Sequence, residues 1–153
     1  MRLKNYTNYA LRTLQMAALR APALTRVDQV AAAHGVSRAH IMKIVHELGK
    51  AGYVETVRGR GGGFRLAWDP AGITVGEIVR LTEEPIELVE CFNADTNSCP
   101  LIGICRLSTT LNDAIDAFLR ILDSVTIAEL AGNRGDLIDR LGSVADRPTE
   151  TIG

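Results

Sequence analysis

A chain of 153 residues that is 46% hydrophobic and 23% charged has the makeup of a folded globular protein, with length enough to bury a core. Its net charge of −1 hides a division: residues 1–70 carry 11 Lys and Arg against 4 Asp and Glu, net +7, while residues 71–153 carry 6 against 14, net −8. No apolar run reaches the ~18 residues of a membrane span and no leader-like segment opens the chain, which predicts a cytoplasmic protein without a membrane partner, whose basic half meets a polyanion.

Tyr6, Ala10, Leu14 and Ala17 recur at three- and four-residue spacing and predict a first helix through "LKNYTNYALRTLQMAALR". Thr25 is the expected N-cap of a second helix over "RVDQVAAAHG", with Gly35 as its stop. Ser37 then caps a third, "RAHIMKIVHELGKAG", which ends near Gly52. Its Ile41, Ile44, Val45 and Leu48 face one way, and Arg38, His40, Met42, Lys43, His46 and Glu47 lie largely elsewhere. Two helices joined by "HGVS" form a helix-turn-helix pattern.

The period then changes. Tyr53, Val54, Thr56 and Val57 suit a strand, "GRGGG" a turn, and Phe64 with Leu66 a returning strand, so a β-hairpin follows the third helix. Pro70 and Gly72 close it, and "TVGEIVRLTEE" resumes helical spacing through Val75, Ile78, Val79 and Leu81. Farther on, Leu107, Leu111, Ile115, Phe118, Leu122 and Val125 form a near-heptad stripe, the mark of a helix packed along another helix. "TIAEL" and "RGDLIDRLG" read as short helices and "SVADRPTETIG" as a frayed tail. The expected fold class is mainly α with a small β-hairpin wing.

A capped helix after a tight turn, followed by a Gly-rich hairpin with arginines at its tip, fits winged-helix recognition of double-stranded DNA. Such a helix presents its N-terminal residues to base edges in the major groove, and the wing reaches the neighbouring backbone or minor groove. Ser37, Arg38, His40 and Lys43 are the major-groove candidates. Arg58, Gly59 and Arg60 are the wing candidates, because glycine permits close approach and arginine is favoured in a narrow, negative groove. "GRGGG" lacks the Lys-Ser/Thr of a phosphate-binding P-loop and sits between strands.

All three cysteines, Cys91, Cys99 and Cys105, fall within "ECFNADTNSCPLIGICRL". Their spacing does not match the paired knuckles of structural zinc sites, and His34, His40 and His46 all lie on the DNA element, away from any fourth zinc position. No histidine pattern accompanies a cysteine nucleophile, so the residues do not read as an enzyme. Three readings stay open at this point: a zinc site with no obvious fourth ligand, a thiol redox switch with one cysteine left over, and an iron–sulfur cluster held by three thiolates and one weaker ligand.

The sequence resembles the NsrR/IscR/RirA family of iron–sulfur winged-helix repressors. The resemblance runs from "MRLKNYTNYALRTL" through "VSRAHIMKIVHELGKAGYVETVRGRGGGFRL" and "VRLTEEPIELVECF" to "CPLIGICRL" and "AFLRILDSVTIAEL", about the first 130 residues. It implies a winged helix-turn-helix domain over 1–85, a cluster-binding loop over 86–106, a dimerisation helix with the following short helix over 107–131, and a C-terminal helix and tail over 132–153. It implies further that Cys91, Cys99 and Cys105 bind the cluster, 4Fe-4S in preference to 2Fe-2S, and that a homodimer reads a palindromic promoter site.

"VSRAHIMKIVHELGKAGYVETVRGRGGG" and "CRL" look most like the nitric-oxide-sensing NsrR branch. "TNYALR", "ETVRGR" and "TEE" also resemble the iron-responsive RirA branch. Where the nitric-oxide branch commonly places an aspartate that can complete the cluster from the partner subunit, this chain has Asn8, and a neutral amide is a poorer iron ligand. The order of segments implies that the cysteine loop sets the spacing of two DNA-reading units.

Overall fold

In the computed structural model, which describes residues 2–145, the chain folds as seven α-helices and one two-stranded hairpin. The elements are α1 (Asn5–Arg20), α2 (Val27–His34), α3 (Arg38–Lys50), β1 (Val54–Val57), β2 (Gly63–Leu66), α4 (Val75–Glu83), α5 (Arg106–Asp123), α6 (Ile127–Leu130) and α7 (Arg134–Ala145). The mainly α class with a small wing is the class observed.

The helices begin and end where local chemistry directs. Gly35 takes φ 63° and closes α2, and the Ser37 hydroxyl accepts from the His40 amide at 3.3 Å to open α3. Thr74 and Glu77 exchange hydrogen bonds as a capping box for α4, and Thr126 with Glu129 repeats the device on α6.

Thr25 departs from expectation. It is not the N-cap of α2, whose capping position is Arg26. Its backbone is committed instead to an antiparallel bridge with Phe64, Thr25 N–H to Phe64 O and Phe64 N–H to Thr25 O, both at 2.8 Å. A third strand-like segment thereby fastens the wing to the helical body. Gly63 permits that approach, since a Cβ there would lie 2.5 Å from the Thr25 carbonyl oxygen.

One core joins these pieces. Ala10, Leu14, Val30, Ile41, Ile44, Leu48, Phe64, Ile73, Ile78 and Ile127 pack together, so α1, α2, α3, the wing, α4 and α6 share a single interior. The face predicted for the third helix is the face that is buried. A second, smaller cluster sets Val75 and Val79 of α4 against Leu119 of α5, flanked by Ile115, Phe118 and Leu122. Leu119 was not in the predicted stripe, and Val125 lies beyond the helix end. α7 packs on α2, and it carries residues 143–145 of the expected tail as helix; 146–153 lie outside the described residues.

His34 illustrates a cost of this packing. Its Nε2 is buried without a partner among the described residues, and burial first, then the Arg12 charge, hold its pKa below the ordinary histidine value. The unfolded chain therefore takes up a proton near pH ~6.5 that the folded chain refuses. Stability falls as pH drops through that window toward the lower folded value. Urea midpoints at pH 7.5 and 5.5 are expected to show this loss and His34→Gln to lessen it. A wild-type midpoint equal at both values would contradict it.

Candidate nucleic-acid interface and cysteine loop

α3 buries Ile41, Ile44, Val45 and Leu48 and leaves Arg38, Met42, Lys43, His46 and Glu47 exposed. The four predicted major-groove residues differ in freedom. Ser37 is exposed, with its hydroxyl oxygen engaged as the helix cap. Arg38 Nε donates to Asp28 Oδ1 at 2.6 Å, and a guanidinium nitrogen of the same side chain reaches the Met42 sulfur. The His40 ring is half-buried edge-on to Tyr9 of α1, with centroids 5.7 Å apart. Lys43 makes no ion pair among the described residues. The four predicted residues thus supply one helix cap, one cation without an ion pair among the described residues, one cation held by α2 and one imidazole steadied by α1.

The wing pairs Val54 with Leu66, Glu55 with Arg65, Thr56 with Phe64 and Val57 with Gly63. Phe64 is its anchor, 1% exposed. Arg58, Gly59 and Arg60 stand exposed at the tip, where Gly59 takes φ 97°. Arg65 pairs with Glu55 across the hairpin at 3.1 Å, leaving the two tip arginines as its cations without an ion pair among the described residues. Recognition helix and wing are thus fixed to one core by Ile41, Ile44 and Phe64.

The cysteine loop leaves α4 and enters α5. Cys91 sits in a short 3-10 turn, Glu90–Phe92; the Cys99 amide donates to Asn97 Oδ1 at 2.9 Å; Cys105 is the residue that precedes α5. All three thiols are free and half-buried. The loop brings them into one segment, but no group of three or more His, Cys, Asp or Glu converges into a coordination shell among the described residues. In donor chemistry the three unpaired thiols suit an iron–sulfur cluster, which takes thiolate ligands.

Two links around the loop were not visible in the sequence. Glu83, at the end of α4, accepts from the Lys4 amide at 2.7 Å and from the Thr7 hydroxyl, and its side chain is 11% exposed. A carboxylate at a helix N-terminus is favoured by the helix dipole, so α4 steadies the start of α1. Arg80 of α4 holds Asp123 of α5 through two hydrogen bonds of 2.6 and 2.7 Å, which keep the Asp123 carboxyl below the usual carboxylate range. Gly76 makes room for this pair, since a Cβ there would collide with the Asp123 carboxylate. These contacts span 76 and 43 positions along the chain, beyond any local pattern.

The family described as "Rrf2: Iron-dependent Transcriptional regulator" matches residues 3–133. The HTH-type transcriptional regulator NsrR of Geobacillus kaustophilus is 51% identical over 138 residues, covering 90% of this chain and 94% of that protein. The protein of the same name from Bacillus subtilis is 44% identical, covering 92% and 97%. Among solved structures, T. potens IscR superposes with a TM-score of 0.71 at 21% identity over 89% of this chain and 90% of its own, a likeness of fold. CymR, the global cysteine regulator of B. subtilis, gives 0.65 at 26% identity over 86% and 97%. No helix among the described residues is long and apolar enough to cross a membrane. The chain belongs to the Rrf2 family and is a DNA-binding winged-helix transcriptional regulator, not an enzyme.

Proposed function

We propose that the chain is an iron–sulfur repressor that binds palindromic promoter DNA as a homodimer and releases it in response to nitric oxide. The observation that carries the reading is the placement of three free thiols in the one segment that joins the DNA-reading body to α5, in a chain whose relatives bear the name NsrR. Cys91, Cys99 and Cys105 would hold the cluster, of the 4Fe-4S kind, with one iron left to a non-cysteine ligand. When bound, the cluster supplies iron whose ligation nitric oxide can change.

The remaining parts are protein chemistry. Lys43, Arg58 and Arg60 offer exposed cations to the DNA backbone and grooves. Ser37, Arg38 and His40 open the recognition helix, and Gly59 lets the wing tip approach closely. Leu107 and Ile121 of α5, with Leu101, Ile102 and Ile104 of the loop, leave apolar side chains exposed on the single chain; Ile104 is 82% exposed. A second copy would cover them, and its two-fold axis would match a palindromic site. Asn8, exposed near the start of α1, is a poorer iron ligand than a carboxylate, so the fourth ligand is open between Asn8 of a second copy, another residue and solvent.

The test is an anaerobic absorbance and iron–sulfide analysis, titrated with nitric oxide while operator binding is followed. A visible band lost at low nitric oxide stoichiometry, with DNA release in step, is the expected result. An iron-responsive repressor is the second reading, favoured by the family's description as iron-dependent. A band that survives nitric oxide but collapses under iron chelation would select it, and protein free of iron after anaerobic preparation would defeat both and leave the thiol switch.

A further inference from the structure

DNA reading and the cysteine loop leave unused a cleft of about 610 Å³ between α1, α2 and α7. That volume is in the range of small-molecule sites. Met16 and Leu19 of α1 form one apolar wall, and Ile138 and Leu141 of α7 the other. Three arginines line the same cleft: Arg20 at the end of α1, Arg26 ahead of α2 and Arg134 at the start of α7. None of the three makes an ion pair among the described residues. Arg20 Nε is shielded from solvent with no acceptor among the described residues. A buried donor without an acceptor is costly, and an anionic oxygen brought beside it removes that cost.

The carboxylate that lines the cleft, Asp28, is already engaged by Arg38. The cleft therefore pairs an apolar interior with positive charge that no carboxylate answers among the described residues. We propose that it binds a small amphipathic carboxylate, its aliphatic or aromatic tail between α1 and α7 and its carboxylate among Arg20, Arg26 and Arg134. The Asp28–Arg38 pair places this site one ion pair from the first turn of the recognition helix.

Octanoate and octan-1-ol share a tail and differ in the head group, so calorimetric titration of the full chain with each separates charge recognition from apolar partition. This measurement needs neither DNA nor cluster, and it stands apart from the proposed function. Octanoate is expected to bind saturably, one per chain, and at least about tenfold more tightly than the alcohol. Arg20→Met and the exposed-site variant Arg134→Gln are each expected to reduce that preference, and Ala32→Phe, which fills the cleft from its α2 side, to block both probes. Equal affinity for acid and alcohol, absence of octanoate binding, or undiminished binding in Ala32→Phe would each overturn the proposal. Octanoate binding only in a chain ending at Ala145 would overturn it too, by assigning the cleft to residues 146–153.

Discussion

Serine in place of Cys99 is expected to weaken operator binding of the anaerobically reconstituted protein by about a thousandfold at fixed salt, the lower end of the gap between specific and non-specific DNA binding. The size follows from geometry. A dimer that reads two half-sites must hold its recognition helices one DNA turn apart, and a mis-spaced pair retains little beyond phosphate attraction. Cys99 lies between α4 and α5: α4 is tied through Glu83 to Lys4 and Thr7, and the residues just past α5 are tied to the start of α4 by the Val75 N–H to Val125 O bond of 2.8 Å. On the proposed coupling, a change of loop path would be conveyed to both.

The fold itself should survive this substitution, because Cys99 belongs to neither core cluster. The thermal midpoint of the iron-free variant is expected to match that of the iron-free wild type. Wild-type operator affinity in the reconstituted variant, measured by anisotropy, would show that this thiol plays no part in holding the DNA-binding state.

Phe64→Ala is expected to cost about 3–5 kcal/mol of unfolding free energy, a large share of the ~5–15 kcal/mol that holds a domain of this size. Phe64 is 1% exposed and packs with Ile41 and Ile44 of the recognition helix in the main core. Its backbone carries both hydrogen bonds to Thr25. Truncation leaves a cavity beneath wing and helix at once, and denaturant titration with unchanged m-value would register it as a lower midpoint. Trp68 provides the contrast. Its ring is larger but 67% exposed, with Nε1 donating to Gly52 O at 2.9 Å, so Trp68→Ala should cost far less. A similar loss at both positions would mean that burial is not what Phe64 contributes.

Much of this was legible along the chain. The Ser37 cap, the Gly35 stop, the buried face of α3 and the hairpin all rest on neighbours within a few residues, where side-chain spacing and backbone preference act directly. The three cysteines and the basic half are likewise matters of composition and order. The assignment of Thr25 failed for a physical reason: capping preference is a local effect worth about 1 kcal/mol, and pairing with Phe64, 39 residues away, outweighed it.

The sequence by itself determined the elements, the candidate DNA-reading residues and the thiol loop, because each depends on chemistry repeated at short range. Tertiary structure decided how freely those residues stand and what connects them. Arg38 is held by Asp28 and His40 lies against Tyr9, while Lys43 and the wing tip remain open. The Glu83 and Arg80–Asp123 links, the bridge from Thr25 to Phe64 and the arginine-lined cleft join residues from separate helices. Such contacts depend on how whole faces pack, and packing is settled by the sum of many weak, non-directional interactions that no short window of sequence contains.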